Sequence, residues 1–346
     1  MSMKFQLAIN MERLDDSISM PQVAEHTLDM VKMADQGGFD IVWAAEHHAL
    51  EMTIAPNPFQ LLTWWSEHTK SIRLGTAIAV APYWNPIRLA GEAAMTDLIS
   101  GGRLELGIGS GAYQREFDRM HPGLKQTDGW RYMQEILPAV RALWQGDYAH
   151  EGEFWSFPMS TSVPKPVQKE VPVWVSARAP ISFDYAVQHG CNIMTWPFTR
   201  PMSEAELYME RFGDALAAHP NQPRPQLAMM RHTVLYDSPD QAHLPVDAVR
   251  RQLGQFENLY KNLDEVINGF PKQTPLEALE NRAEFDANML NENLMFGTAE
   301  QIVEKLKPYE ALGVDSFIYY ASLGLDQKSQ KRSLELFCEH VIPAFN

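Results

Sequence analysis

Cysteine is nearly absent. Cys191 and Cys338 are the two in 346 residues, too few and too distant in sequence for a disulfide framework or a thiolate metal cluster, which fits a reducing compartment and makes the cytoplasm the expected location. Positive charge is also short. Against 44 Asp plus Glu stand 29 Lys plus Arg, a formal net charge of −15, and no basic cluster interrupts it, so neither nucleic acid nor membrane is an expected partner. Long apolar runs are missing too: nothing approaches the ~18 uninterrupted apolar residues of a spanning helix, and residues 1–12 lack a signal-peptide core. Gly/Ser-rich linkers, internal repeats and low-complexity tracts are lacking as well. The composition, 45% apolar and 21% charged, is that of a chain able to bury a large core, which excludes the fibrous and disordered classes.

Short β-type runs alternate with longer segments of helical period, the rhythm of parallel strands joined by crossover helices. Strands are predicted at 5–10, 40–45, 72–80, 103–108, 171–176, 192–196, 226–236 and 316–321. Helices are predicted at 21–36, 58–69, 86–99, 129–144, 181–189, 203–218, 240–258, 298–312 and 328–342. With no linker to divide the chain, this pattern predicts an α/β fold, a single (β/α)8 TIM-like barrel over 1–346 with insertions, ahead of a two-domain doubly wound sheet. Two stretches stand outside the rhythm. Residues 145–170, rich in proline and aromatics, read as a long connection, and 261–296 is longer than an ordinary loop.

Ligands of such barrels meet the carboxyl ends of the strands. The second strand runs into Glu46, His47 and His48. The spacing is not His-Glu-x-x-His and no Cys/His set completes it, so no metal is expected. Neighbours on an extended chain point opposite ways, so one of the two histidines at most faces the mouth, and two hydrogen-bonded packing residues are the other reading. The fourth strand ends in Gly107-Ile108-Gly109-Ser110-Gly111-Ala112, which suits close backbone approach to a phosphate or a ring, or is simply a tight turn. A Rossmann site is disfavoured because Asp128 precedes a helix instead of ending a strand. After the fifth strand, Ser176-Ala177-Arg178 opens a helix whose free N–H groups and guanidinium suit an anion. Thr195-Trp196 at the end of the sixth offers a hydroxyl and an indole to a planar ligand, although tryptophan there is more often core.

These segments together resemble the bacterial luciferase-like family of flavin-dependent monooxygenases, from Phe5 to Phe345. The resemblance is carried by Gly38-Phe39-Asp40, Trp43-Ala44-Ala45-Glu46-His47-His48, Asn57-Pro58, Leu74-Gly75-Thr76-Ala77 and Asn85-Pro86 with Arg88. Ser100-Gly101-Gly102-Arg103, Tyr113 with Phe117, Pro172-Val173, Gly297-Thr298-Ala299-Glu300 and Gly313-Val314-Asp315 continue it in order. The resemblance implies a luciferase-like barrel with FMN at its mouth, reduced by a separate flavin reductase. It matches His47 to the family's catalytic histidine, with Glu46 and His48 fixing its tautomer and orientation. It matches Ala77 and Ile78 to a non-prolyl cis peptide beneath the isoalloxazine. Gly109 stands in place of a reactive cysteine, and Ser110, followed by Gly111, in place of a phosphate-binding arginine. Arg178 is the candidate replacement, beside Ala179 in place of a serine, with Ser182 keeping a hydroxyl at the same helix start. Ser176 and Ala177 adjoin it, and Thr195 and Trp196 match a Ser-Trp pair near the ring.

What the resemblance implies is an FMNH2-dependent monooxygenase that oxygenates a small organic substrate through a C4a-(hydro)peroxyflavin. An F420-dependent dehydrogenase on the same fold and a flavin-binding protein without catalysis are the alternatives. Two further expectations follow. A homodimer forms through amino-terminal helices, where Leu61, Leu62, Trp64 and Trp65 exceed one core-facing stripe. Residues 261–296 form a mobile lid, interrupted by Asn262, Asn268, Gly269, Pro271 and Pro275 and short of bulky apolar anchors.

Overall fold

Runs of apolar, often β-branched residues, buried on both faces, form eight parallel strands in the computed structural model, which describes residues 2–280 and 282–346. They are β1 (Lys4–Ala8), β2 (Ile41–Ala44), β3 (Arg73–Thr76), β4 (Leu104–Gly109), β5 (Val173–Ser176), β6 (Asn192–Thr195), β7 (Leu227–Leu235) and β8 (Ser316–Tyr320). Each pairs with the next, and β8 returns to β1 with Phe5 opposite Phe317, so the sheet closes into a barrel. Inward-facing Ile41, Trp43, Trp174, Met194, Ala228 and Ile318 fill it, below Ala77, Ile78, Trp196 and Tyr320 at the mouth.

The surrounding helices begin α1 (Met20–Gly37), α2 (Pro58–Ser66), α3 (Pro86–Ile99), α4 (Gln114–Met120), α5 (Gly129–Gln145), α6 (Pro180–Gln188), α7 (Met202–Ala218) and α8 (His243–Lys261). Local chemistry sets their starts. Asn57 and Asn85 cap α2 and α3 through their side-chain oxygens, each with proline next, where the missing N–H costs nothing. Ser19 and Gln22 form a capping box on α1.

Three expectations need correction. The strand predicted over 72–80 is broken: β3 ends at Thr76, the Ala77–Ile78 peptide is cis, and Ala79–Val80 forms a separate short pairing with the end of β4. Gly107 makes that junction possible, because a Cβ there would lie 1.8 Å from the Thr76 carbonyl oxygen. The last helix is regular over Gln327–Leu336 only, then widens into a π-turn at Phe337–Val341. The connection at 145–170 contains an antiparallel hairpin, Tyr148–Glu151 with Ser156–Ser160.

The long segment after α8 carries more anchoring than its sequence suggested. Val266–Ile267 pairs with Phe270–Pro271, and Leu279, Phe285 and Leu290 are buried. The Glu51 N–H donates to the Gly269 carbonyl at 2.9 Å, and Arg13 lies over the Phe270 ring. Asn281, inside the expected lid, lies outside the described residues. A further short strand, Met295–Gly297, pairs in parallel with the end of β7 at Thr233–Leu235.

Candidate active site

The chain leaving β2 turns its consecutive side chains to opposite sides, and this alternation decides who meets whom. Glu46 and His48 share one side. His48 Nε2 lies 2.8 Å from Glu46 Oε1, while the other Glu46 oxygen accepts from the Val80 N–H at 2.7 Å and the Trp84 indole at 2.8 Å. His47 takes the other side, and its partner is Glu116 on α4: Nδ1 sits 3.0 Å from Oε2, and Oε1 accepts the His48 N–H at 2.7 Å. Glu116 therefore does the orienting expected of Glu46 and His48.

This geometry sets the charge. Burial disfavours the His47 imidazolium, but the adjacent Glu116 carboxylate, its hydrogen bond and the charge of Glu46 outweigh it and raise the pKa above the ordinary imidazole value. Burial likewise opposes the Glu116 carboxylate, and His47 with the His48 N–H reverses that, holding it below the usual range. The Nδ1 side is occupied by a carboxylate, leaving Nε2 to the cavity that His47 lines with Tyr113, Gln252, Phe256 and Tyr320. That cavity is small, about 10 Å³, room for a water at most.

Around the rest of the mouth, starting directly beside this segment, stand the residues proposed from sequence to hold a cofactor. The cis Ala77–Ile78 peptide lies beside Gly109, where a Cβ would meet Ile78 Cδ1 at 2.3 Å. Ser110 is half-buried, and Gly111 takes φ 84°, a left-handed turn that frees the chain to enter α4. Ser176 and Arg178 are exposed and Ala177 is buried between them. The Arg178 guanidinium lies 4.9 Å over Phe198, which stacks on Trp196 at 4.1 Å. Ser182 spends its hydroxyl locally, donating to Ala179 O at 2.6 Å and accepting the Arg178 N–H at 3.2 Å. No side chain caps α6; Pro180 has no N–H and the Ser182 N–H donates to the Ala179 carbonyl at 2.9 Å, so Ile181 carries the first N–H beside Arg178 that no neighbour is seen to take. Thr195 Oγ1 and Trp196 Nε1 are buried without a hydrogen-bond partner.

Sequence reading passed over four residues here, Glu116, His232, Gln252 and Tyr320, and took Tyr113 only as a carrier of the resemblance. On β7 the inward parity of Ala228 and Met230 carries to His232, fully buried between Trp196 (5.3 Å) and Tyr320 (4.8 Å). That alternation was the available signal. Glu116 had none, because its partner is 69 positions away.

These residues fit a flavin mononucleotide. Thr195 and Trp196 carry buried donors without partners that the polar edge of a planar ligand would satisfy, and a helix start without a side-chain cap beside an arginine suits a phosphate.

Comparison with known proteins agrees. Residues 3–316 match the luciferase-like monooxygenase family. The chain is 38% identical over 345 residues, 99% of its length and 96% of the relative, to the oxygenase component of a flavin-dependent trigonelline monooxygenase from Acinetobacter baylyi. Among solved structures it is similar to monooxygenase RslO1 from Streptomyces bottropensis, with TM-score 0.80 and 24% identity over 99% of this chain and 100% of that one. It is also similar to the oxygenating constituent of 3,6-diketocamphane monooxygenase from Pseudomonas putida in complex with FMN, with TM-score 0.79 and 20% identity over 99% of both chains.

Proposed function

The chain belongs to the luciferase-like monooxygenase family, a flavin-dependent enzyme with FMN as cofactor, and from that premise we propose that it is an oxygenase component acting on a small planar N-heteroaromatic compound. The relative's name supports a separate reductase as the source of FMNH2 and a heteroaromatic as substrate class. The aromatic lining of Tyr113, Phe256 and Tyr320 suits a flat ring. A deazaflavin dehydrogenase is set aside because the relative at 38% identity is flavin-dependent.

The observation that carries the reading is the His47–Glu116 pair. FMNH2, when bound, supplies the electrons that activate dioxygen. With its pKa raised above the ordinary imidazole value, His47 holds a proton on Nε2 to higher pH than a free imidazole and presents it to the cavity, and Glu116 orients the ring and stabilises its charged form. Glu46 and His48 brace the chain behind them. Ala77, Ile78, Gly109, Ser110 and Gly111 form the bed for the ring, with Thr195 and Trp196 at its edge. Ser176, Ala177, Arg178 and the start of α6, built around Ser182, receive the phosphate. Tyr113, Phe256 and Leu259 close the cavity against water.

A partnership and a location complete the proposal. The apolar residues of α2 expected to form a homodimer are spent on the core, with Leu62 and Trp65 fully buried and Leu61 and Trp64 packed against it. The homodimer proposed here therefore uses the neighbouring α3, where Met95, Leu98 and Ile99 are 45%, 46% and 43% exposed. The protein works in the cytoplasm; among the described residues no helix is long and apolar enough to cross a membrane. The test mixes the protein with photoreduced FMN, O2 and a panel that includes trigonelline, and seeks a product one oxygen heavier by mass spectrometry. Stoichiometric hydrogen peroxide with every compound, and no oxygenated product, rejects the substrate class.

A further inference from the structure

Arg231 on β7 is fully buried, and strand alternation turns it away from His232, outward to the helix Ala299–Ala311. Its hydrogen bonds among the described residues run to three neutral oxygens. Nε donates to the Tyr309 hydroxyl at 2.9 Å, and Nη1 donates to the carbonyls of Phe198 at 2.8 Å and Arg200 at 2.7 Å, while Nη2 is buried without a partner. Those two carbonyls belong to one turn after β6, closed by the Arg200 N–H on the Pro197 carbonyl at 3.0 Å. Its second residue, Phe198, has φ 52°, a left-handed value that glycine takes freely and an aromatic residue rarely adopts. Thr199 O, between the two carbonyls, accepts from Asn293 Nδ2 at 2.9 Å. Three consecutive carbonyls of this turn are thus held by side chains. The turn carries one ring: Phe198 stacks on Trp196 at 4.1 Å and lies 4.9 Å beneath the Arg178 guanidinium.

A buried guanidinium met only by neutral oxygens is costly, and a phenylalanine at positive φ persists only where its surroundings over-determine it. Both costs fall on the same turn. The planar fork of an arginine can grip two carbonyls of a turn at once, which a lysine or an apolar residue of similar length cannot do. Resting on the reading of Arg178 as the phosphate contact, we propose that Arg231 and Phe198 are positioning residues for FMN. Arg231 clamps the turn after β6, and the turn presents the Phe198 ring as a seat for the exposed Arg178 side chain. A long side chain that grips a phosphate loses rotamer freedom, and a seat that already confines it reduces that loss. The ring uses no hydrogen-bond acceptor to do so, which leaves the guanidinium N–H groups for an anion.

The experiment titrates the full-length protein and its variants with FMN and with riboflavin by flavin fluorescence, and reads the ratio of the two dissociation constants. Phe198→Leu keeps an apolar side chain beside Trp196 but has no aromatic face. It is expected to cut the preference for FMN about two- to fivefold, the range of an exposed cation–π contact, and to leave riboflavin unchanged. In an Arg178→Ala background the same substitution is expected to leave the ratio as it is, because the ring acts through the arginine. Arg231→Met is expected to lower the ratio at least as far as Phe198→Leu does. It should also speed hydrogen exchange at the Arg200 amide while Ala228–Met230 on β7 stay protected, a local signature that general destabilisation does not give. A ratio unmoved by Phe198→Leu, or an equal loss with and without Arg178, overturns the inference and leaves the phosphate reading standing; this arm does not depend on the folding of Arg231→Met. Unchanged exchange at Arg200 in Arg231→Met overturns the clamp. A ratio unmoved by Arg178→Ala alone overturns the phosphate reading and the inference with it.

Discussion

The two sides of the barrel mouth solve opposite problems. On the side built from β2 to β4, every polar group of Glu46, His48 and Glu116 that leaves water finds a protein partner, and His47 keeps one nitrogen for the cavity. On the side built from β6 to β8, Thr195 and Trp196 carry buried polar atoms with none. A completed network is rigid and sets a proton's affinity in advance; an incomplete one is a surface whose missing partners are ligands. The contrast divides the labour of the site into proton control and recognition.

The strongest way to break this division is His47→Ala. Oxygenated product is expected to fall by about 100- to 10,000-fold, the range for a general acid or base, with reducing equivalents diverted to hydrogen peroxide and FMN binding retained. Product within twofold of wild type would remove the proton role. Arg178→Ala probes the recognition side. FMN is expected to bind about tenfold more weakly, the lower end for a charge-assisted contact because the residue is exposed, and riboflavin far less affected. Equal losses for the two ligands would move the phosphate contact elsewhere, with Ser110 the next candidate.

Glu116→Gln sharpens the proton side. Removing the carboxylate takes away the interactions that raise the His47 pKa, so the basic limb of the pH–rate profile should move to lower pH. Stability follows the same pair. His47 contributes below the unfolded imidazole value, and that contribution is lost as pH rises through its raised folded value. Glu116 contributes above the unfolded carboxyl value, and its share is lost as pH falls through its lowered folded value. The wild-type advantage in melting temperature over Glu116→Gln should therefore be greatest in the mildly acidic interval between the two. The smallest expected effect concerns the segment after α8. Trypsin should cut at Lys261, Lys272 or Arg282 before the barrel helices, and a few-fold more slowly with flavin and a ring compound bound. Resistance at all three without ligands would make the segment a fixed wall, consistent with the double Arg282–Glu257 contact at 2.6 and 2.8 Å.

The barrel was legible because its signals are local. Asn85-Pro86 marks the start of α3, and buried apolar runs mark β4 and β7 within a residue or so. His47 was legible by its place after β2 and by resemblance. Its partner was not, since a contact across 69 positions leaves no periodic trace. The break after Thr76 was hidden for another reason: Ala77 and Ile78 continue an apolar run into Ala79 and Val80, and only the resemblance marked their peptide as cis. His232 and Gln252 were readable in principle, through strand parity on β7 and the buried face of α8.

The size of the cavity beside His47 sets a kinetic order of access. At about 10 Å³ it admits a molecule the size of water or dioxygen. A six-membered ring enters only if lining side chains, among them Leu50, Met52, Phe256 and Leu259, move apart. The association rate of an organic substrate should therefore saturate at the frequency of that opening as its concentration rises, while dioxygen reaches the site at a rate that stays proportional to its concentration.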